Sequence, residues 1–358
     1  MAITTVAHPE LARITVGVDT HGDVHVAHAK DGLGRRLATV SVPTTPHGYA
    51  GLLAWARGLG QVEAFGVEGT GSYGAGLARF LHAAGQVVLE VNRPDRSARR
   101  RHGKSDPLDA EAAARAVQAG EVTVIPKARD GIVEMIRSLR VVRATAVKAR
   151  TQATNALKGL LVTAPAELRE QLRNLSTVQL VRAVARLTPG TLDTPLAAAM
   201  LALRTLAARH AALTAEVKAL ETELDRLTTK AAPGLVARFG VGPEVAGALL
   251  VAAGDNPGRL RSEAAFSMLC GSSPIEASSG KTTRHRLNRA GDRQANAALY
   301  RIVIVRLRHD QRTKNYLARR IQQGKSKREV IRCLKRYVAR EIFAVLNQLD
   351  SNDPVKTT

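Results

Sequence analysis

The chain has 358 residues, and its 53 Lys and Arg against 31 Asp and Glu give a formal net charge of +22 at pH 7. This length permits two or three domains with a sizeable core, and the charge favours a polyanionic partner, most simply nucleic acid. Aromatic residues make up only 3%, which argues against base stacking on aromatic platforms as the main binding mode.

The first 120 residues alternate between strand and helix patterns. Alternating β-branched segments predict five strands, and three further segments predict helices. We expect the strands at 13–19, 24–30, 37–42, 62–68 and 87–91, and the helices at 47–59, 77–84 and 106–119. Two of the strands end on a carboxylate, Asp19 and Glu68. Open α/β sheets place their sites at the carboxyl ends of strands, so both acids are candidate site residues.

Two further acids open the helix predicted at 106–119. Ser105 suits its N-cap, and Pro107 stands where a missing N–H costs least. Asp106 and Asp109 are three residues apart and therefore share one face, where a divalent cation would relieve their repulsion. The alternative is a pair of solvated acids that interact favourably with the helix dipole.

A basic loop is expected before this helix, because residues 92–104 hold five Arg and one Lys. Arg99, Arg100, Arg101 and Lys104 are candidate nucleic-acid-binding residues, since clustered cations neutralise phosphates.

Two long helices are predicted in the middle of the chain. Apolar residues from Ile132 to Leu160 recur in steps of three and four, and so do those from Leu196 to Leu227. The second run exceeds four heptads and indicates an antiparallel coiled coil, in which His210 would set the register. Residues 161–195 would be an insertion, and we expect the coiled coil also to join subunits.

A glycine-rich hairpin follows, in which Gly240 and Gly242 separate helices predicted at 235–239 and 243–253. Such a helix-hairpin-helix offers backbone N–H groups to a phosphate. A plain helical hairpin explains this segment equally well.

A second candidate site lies in the C-terminal third, where Ser278 and Ser279 precede a cluster of cations. The cationic candidates for phosphate binding are Lys281, Arg284, Arg286, Arg289 and Arg293. A serine can act as a nucleophile, and clustered Arg can stabilise charge on a phosphate. An ordinary flexible basic loop is the alternative.

The order of elements over 12–120 resembles the RNase H-like fold of RuvC-type nucleases. Three motifs are more specifically similar to those of the DEDD-type insertion-sequence transposases, which are bridge-RNA-guided recombinases. These motifs are Val18-Asp19-Thr20-His21, Val67–Tyr73 and Lys104–Ala110. The Ser-Gly and basic residues near the C-terminus resemble the same family, although Gly291-Asp292-Arg293 replaces its Gly-Asn-Arg.

The resemblance implies a mechanism and partners. Asp19, Glu68, Asp106 and Asp109 would hold two Mg²⁺, for which Mn²⁺ can substitute, and Ser279 would attack DNA to form a phosphoserine link. Ser278 adjoins it and remains an alternative nucleophile. The implied partners are donor and target DNA, a structured guide (bridge) RNA, and further copies of the chain in a dimer or tetramer.

The expected fold class is α/β plus all-α. We predict a RuvC-like domain over 1–125, a coiled-coil region over 126–230, a C-terminal transposase domain with a helix-hairpin-helix over 231–350, and a disordered tail over 351–358. Two rival functions remain, a RuvC-like junction nuclease that uses metal-activated water and a non-catalytic nucleic-acid-binding protein.

The compartment is predicted from what the sequence lacks. Cys270 and Cys333 form neither a redox nor a metal-binding motif, residues 1–13 have no signal-peptide core, and no run approaches the ~20 apolar residues of a membrane span. We expect a bacterial cytoplasmic protein that associates with the nucleoid when active.

Overall fold

The computed structural model describes residues 13–91, 105–256 and 259–351. The chain divides into two compact units. One runs to Gly131 and includes the short segment Gly254–Arg259, and the other comprises Ile132–Ala253 and the residues from Leu260 onwards.

The first unit is built on a five-stranded sheet in the order β3-β2-β1-β4-β5. β1 pairs in parallel with β4 and antiparallel with β2, whereas β5 lies parallel to β4 and β3 antiparallel to β2. The strands are β1 (Arg13–Thr20), β2 (Val24–Asp31), β3 (Arg36–Pro43), β4 (Gln61–Glu68) and β5 (Val88–Val91). All five predicted strands are confirmed, and their order fits an RNase H-like arrangement.

Three helices cover the two faces of this sheet. They are α1 (Pro46–Leu59), α2 (Ala75–Ala83) and α3 (Asp106–Gln118), as predicted to within two residues. Val16 and Val18 of β1 point into the core that α1 and α2 cover. Because side chains alternate along a strand, Gly17 faces the opposite side, where α3 lies.

The contact between α3 and the sheet depends on small residues. A Cβ atom at Gly17 would overlap the carbonyl oxygen of Ala110, and one at Gly66 would come within 2.6 Å of Val117 Cγ2. Ala110 and Ala114 of α3 are fully buried against the strands. The backbone of α3 therefore lies directly on β1, and this close contact fixes the position of the first turn of α3.

Two long helices, α4 (Ile132–Thr163) and α7 (Pro195–Ala231), pair in the second unit. The pair is antiparallel, since Ile136 packs with Leu224 at one end and Leu157 packs with Leu203 at the other. Every predicted seam position of α7 from Leu196 to Leu227 is buried or half-buried. Between the two helices lie α5 (Ala166–Leu172) and α6 (Thr177–Val184).

The predicted buried face of α4 is partly wrong. Met135, Val142 and Leu160 are exposed, whereas Ile136 and Leu161, each one position further along the helix than a predicted seam residue, are buried. Both ends of α4 contact helices other than α7, so those contacts and not a single heptad seam decide which face is covered. The apolar pattern alone is too broad to choose between adjacent positions on a helix.

The rest of the second unit is helical around one core. Its elements are α8 (Pro233–Val236), α9 (Pro243–Ala253), α10 (Glu263–Leu269), β6 (Ile275–Glu276), β7 (His285–Arg286), α11 (Arg293–His309), α12 (Gln311–Gln322) and α13 (Lys327–Ser351). The nearly all-buried helix α9 packs against α11, α4 and α7, and it brings these helices into a common core.

Within the described ranges, α7 is the single helix long and apolar enough to cross a membrane by length and composition. We did not predict an apolar run of this length from the sequence. It arises because Ala and Leu dominate one stretch of α7. The buried residues of α7 pack along α4 and its neighbours, but only 17% of the apolar window is buried.

Candidate active site

The candidate site lies where β1 ends. Asp19 is two residues beyond Gly17 and therefore points to the face that α3 covers. His21 follows two residues later. The glycine contact with α3 brings the first turn of that helix, with Asp106 and Asp109, to the same edge of the sheet. Ser105 stands at the N-cap and Pro107 in the first turn, as predicted, although the Ser105 side chain makes no capping hydrogen bond.

The structure brings Asp19, His21 and Asp106 into one cluster. His21 Nε2 is 3.1 Å from Asp19 Oδ2 and 3.4 Å from Asp106 Oδ1. Burial raises the pKa of the Asp19 carboxyl above its usual value, and the negative charges of Asp109 and Asp106 add to this effect against the opposing influence of His21. The excess of negative charge at Asp19 is what a bound cation would offset.

Glu68 ends β4, the parallel neighbour of β1. Val67 is paired with Val18, so Glu68 and Asp19 follow adjacent positions of the two strands. Both side chains are buried. Thr20 Oγ1 donates a hydrogen bond of 3.0 Å to the Glu68 carbonyl oxygen, which ties the two strand ends together.

Glycines shape the turn after Glu68. Gly69 adopts a φ of +58°, and a Cβ at Gly74 would lie 2.5 Å from the Glu68 carbonyl oxygen. The chain therefore folds back tightly over the end of β4. The tight turn requires glycine, which explains the glycine-rich sequence after Glu68. A phosphate-binding loop is not needed to explain it.

A third acid of α3 has a different role. The buried Glu111 accepts hydrogen bonds from Lys30 Nζ at 3.2 Å and Arg36 Nε at 3.0 Å. Burial alone would raise its pKa, but the hydrogen bonds from Arg36 and Lys30 outweigh burial and lower the pKa of this carboxyl. Glu111 therefore anchors α3 to β2 and β3, whereas Asp106 and Asp109 remain at the site.

The chemistry of the cluster suits a divalent metal ion. Asp19, His21 and Asp106 each offer one ligand atom, and these atoms lie within 4.8 Å of one another. Carboxylate oxygens are the usual ligands of hard divalent cations, and a buried, electronegative strand end is where such an ion stabilises the fold electrostatically. The first unit therefore contains a candidate divalent metal site.

The predicted serines lie in the second unit, on a β-hairpin. β6 pairs with β7, and Ser279 pairs with Thr282 through backbone hydrogen bonds of 3.1 Å in both directions. Gly280 and Lys281 form the two-residue turn, in which Gly280 takes a φ of +54° as the first turn residue. Ser279 is therefore exposed at the tip of the hairpin.

The two serines differ in their hydrogen bonds. Ser278 Oγ accepts a hydrogen bond of 3.1 Å from the backbone N–H of Arg284 and so helps to hold the hairpin. Within the part of the chain that the structure describes, the Ser279 hydroxyl has no hydrogen-bond partner and faces solvent. Of the two hydroxyls, that of Ser279 is the one available to a substrate.

The predicted nucleic-acid-binding residues are scattered over the chain. Arg99, Arg100, Arg101 and Lys104 lie outside the described residues. Lys281, Arg284, Arg286, Arg289 and Arg293 are all exposed on or after the hairpin. Gly240 adopts a φ of +85°, and a Cβ at Gly242 would meet no atom within 4 Å, so the backbone of Gly242 is open to approach.

A basic groove in the second unit contains cations that we did not predict as binding residues. Its volume is about 890 Å³. The cations that line it are Arg286, Arg289, Arg319, Arg320, Lys325, Arg332, Lys335, Arg336 and Arg340, and we call this set the basic groove. The sequence contained a signal for this groove, because residues 311–340 hold eleven Lys and Arg against the single acid Glu329.

Two family models match the chain. A family model described as a transposase, of the DEDD type, matches residues 16–164. A second model, described as the transposase IS116/IS110/IS902 family, matches residues 235–318. No curated protein matches the chain. The first match contains Asp19, Glu68, Asp106 and Asp109, and the second contains Ser279 and the basic residues that follow it.

Proposed function

The chain belongs to the IS110 family of transposases, and from that premise we propose that it cuts and rejoins DNA through a covalent phosphoserine intermediate with the help of Mg²⁺. The observation that carries the proposal is the separation of functions between the units. Asp19 and Asp106 cluster with His21 in the first unit, and the charge of Asp109 also acts on Asp19, whereas the exposed Ser279 stands among cations in the second unit.

Asp19, Glu68, Asp106 and Asp109 are proposed to hold two Mg²⁺, with Mn²⁺ as a substitute. Bound divalent ions supply charge stabilisation to a phosphate that is under attack. The chain itself contributes ligands whose positions are set by two strand ends and one helix turn. This support comes from the shared edge of Asp19, Asp106 and Asp109 and from the strand pairing that aligns Glu68.

Ser279 is the proposed nucleophile. A bond forms between its Oγ atom and the scissile phosphorus, the bond to one deoxyribose oxygen breaks, and that oxygen takes up a proton while the serine loses its own. The phosphodiester energy is kept in the phosphoserine link. A deoxyribose hydroxyl of another strand can then attack the same phosphorus and release Ser279, so that rejoining needs no ATP.

The experiment for this step detects the adduct. Full-length protein is incubated with Mg²⁺ and a DNA substrate nicked near the exchange site, then denatured and separated by size. We expect a denaturant-resistant protein–DNA species for the native chain and for Ser278→Ala, and none for Ser279→Ala. If Ser278→Ala alone removes the adduct, the nucleophile is its neighbour. Cleavage that persists in the double variant with no adduct would overturn the serine mechanism.

DNA and a structured guide RNA are the proposed partners. The basic groove and the exposed cations after the hairpin offer many contacts to phosphates, which position a nucleic acid without reading its sequence. The open backbone at Gly242 and the left-handed Gly240 support a phosphate contact of the helix-hairpin-helix type. Sequence choice would then come from base pairing with the RNA.

Purification tests the guide RNA. The chain is expressed together with its flanking element DNA, and the nucleic acid that copurifies is sequenced. We expect one discrete RNA encoded beside the gene, with segments that pair to donor and target DNA. Random cellular RNA, removed by moderate salt, would contradict guidance and leave only general nucleic-acid affinity.

The helix pair of α4 and α7 is proposed to act as a coiled coil that joins subunits into a dimer or tetramer. The apolar pattern of α7 recurs in steps of three and four over more than four heptads, which exceeds what one short hairpin needs and supports this role. Sedimentation of the chain with RNA and DNA should show a dimer or larger species. A monomer under every condition would refute the assembly.

A RuvC-like nuclease is the second candidate function. It is favoured by one observation, that the clustered acids Asp19 and Asp106 lie in the first unit, whereas Ser279 lies in the second. In that mechanism water attacks the phosphate, so Ser279→Ala would cleave as well as the native chain. The non-catalytic alternative predicts that loss of the acids has no effect on any reaction of DNA.

A further inference from the structure

His21 lies beside two of the proposed metal-binding carboxylates, although the four-acid set does not include it. Its Nε2 atom is 3.1 Å from Asp19 Oδ2 and 3.4 Å from Asp106 Oδ1. We propose that His21 is itself a ligand of the divalent ion and that its imidazole makes this site favour Mn²⁺ over Mg²⁺. The inference rests on the metal site proposed above.

The fold gives His21 this position. It follows Asp19 by two residues at the end of β1, so both side chains point to the face that α3 covers. The first turn of α3 then delivers Asp106 to the same place. The His21 side chain is 45% exposed, whereas that of Asp19 is 10% exposed. An ion arriving from solvent can therefore reach the imidazole nitrogen and the buried carboxylate together.

The distances match ligand spacing around one ion. An octahedral ion with ligands about 2.1 Å away separates adjacent ligands by about 3.0 Å and opposite ligands by about 4.2 Å. His21 Nε2 stands at nearly the adjacent spacing from both carboxylate oxygens, and the three ligand atoms lie within 4.8 Å of one another. Only small side-chain shifts would be needed for all three to bind a single ion.

The choice of ion follows from ligand chemistry. Mg²⁺ takes oxygen ligands and keeps several waters, so it gains little from a nitrogen. Mn²⁺ is the first member of the transition-metal affinity series for nitrogen and oxygen sites, to which Mg²⁺ does not belong, so an imidazole ligand adds more to Mn²⁺ binding than to Mg²⁺ binding. An oxygen site with one imidazole should therefore discriminate between the two ions more than a site of carboxylates alone.

The competing explanation is that His21 only pairs with the acids when no ion is bound. The 3.1 Å contact with Asp19 is equally suited to a hydrogen bond. A divalent ion would then displace the imidazole, and its nitrogen would not be bound to the metal. The two explanations differ in whether a ¹⁴N nucleus lies in the coordination shell.

Pulsed electron paramagnetic resonance of bound Mn²⁺ separates them. We would use full-length protein without a histidine tag, freed of nucleic acid, with less than one Mn²⁺ per chain. We expect ¹⁴N modulation typical of a bound imidazole in the native chain and its loss in His21→Ala. His47→Ala is the matched control, because His47 is an exposed histidine of the same unit, and it should keep the signal.

Metal titrations supply the second measurement. Loss of a ligand group should weaken Mn²⁺ binding by about tenfold or more in His21→Ala, while Mg²⁺ binding, measured by competition, changes by less than about threefold. Mn²⁺ bound to the native chain without ¹⁴N modulation would overturn the proposal, and that result needs no variant to fold. If Asp19→Asn and Asp106→Asn bind Mn²⁺ as tightly as the native chain, the proposed metal site itself fails.

Discussion

The carboxylate site and the serine hairpin are built in opposite ways. Asp19 and Glu68 are buried at the ends of paired strands, and Asp106 is held by a helix that lies directly on the sheet. Ser279 is exposed at the tip of a two-stranded hairpin, and its hydroxyl has no partner within the described ranges. One site is preorganised by the core, whereas the other presents a single group to solvent.

This difference indicates what each site needs from outside. The positions of Asp19 and Asp106 are already set by the fold, and a cation would offset the repulsion between their carboxylates. The serine has access to a substrate, but the described side chains on its hairpin provide cations and no buried base. In the proposed mechanism its activation comes from what docks onto it, because the proposed nucleophile and the proposed metal ligands belong to separate units. The predictions below test each half of this contrast, from the largest expected effect to the smallest.

The largest effect should come from a metal ligand. Asp19→Asn should reduce cleavage in Mg²⁺ by about 10³-fold or more, since ion-derived stabilisation of several kcal/mol is lost. Asp23→Asn is the control, because Asp23 is an exposed acid of the same turn. Cleavage of nicked DNA under single-turnover conditions is the measurement, and equal rates for the Asp19 variant and the native chain would remove Asp19 from the site.

The same substitution should stabilise the metal-free protein at neutral pH. Burial and the charges of Asp109 and Asp106 raise the pKa of Asp19 above 3.8, so the folded state holds this proton more tightly than the unfolded state. The resulting stability is complete below the unfolded pKa and disappears as pH rises through the folded pKa. At pH 7 Asn avoids the buried charge, and thermal unfolding in chelator should occur at a higher temperature. A lower temperature would contradict the electrostatic account.

The next effect concerns the contact that positions α3. Gly17→Ala should destabilise the first unit by about 3 kcal/mol or more and weaken metal binding, because the new Cβ overlaps the backbone of Ala110. Gly51→Ala is the matched control, since Gly51 lies in α1 and a Cβ there meets no atom within 4 Å. That control should gain about 0.5–1 kcal/mol from its helical position. Urea denaturation measures both, and similar values for the two variants would show that α3 can move away at little cost.

Glu111 tests the distinction between a structural acid and the acids that are proposed to bind metal. Glu111→Gln should cost about 3 kcal/mol at pH 7, because Lys30 is left as a buried charge without its partner carboxylate. Glu121→Gln, an exposed acid beyond the end of α3, should change stability by less than about 0.5 kcal/mol. The lowered pKa of Glu111 makes its contribution present above 4.5 and lost as pH falls through the folded pKa. The difference between native and variant stability should therefore shrink in acid.

The smallest effect is a difference in thiol reactivity within the second unit. Burial and the nearby charge of Asp292 raise the pKa of Cys270 to about 12, so it should remain unmodified by a disulfide reagent at pH 8. Cys333 is half-buried and lines the basic groove. One thiol per native chain should react with the reagent, and no thiol should react in Cys333→Ser. Bound nucleic acid should slow the reaction of the native chain. Unchanged reactivity with saturating DNA would indicate that the groove is not the binding surface.

The sequence by itself determined the elements of the first unit and identified Asp19 and Asp106, which the structure brings together, as candidate site residues. Alternating β-branched residues ending on Asp19 and Glu68, and the Ser-Asp-Pro start of α3, are local signals that do not depend on distant contacts. The residue types and their order also carried the family resemblance, because sequence motifs can be recognised without a structure. The seam of α7 was predictable for the same reason, since it repeats within one helix.

Tertiary structure decided what depends on approach between elements far apart in the chain. The covered face of α4 follows from its different neighbours at each end, and the basic groove forms only when the β6–β7 hairpin, α12 and α13 surround one volume. The position of α3 is what brings Asp106 beside His21, and Ser278 differs from Ser279 only through its hydrogen bond with Arg284 across the hairpin. Periodicity and propensity describe one segment at a time, whereas these features are set by packing and hydrogen bonds between segments that no local pattern encodes.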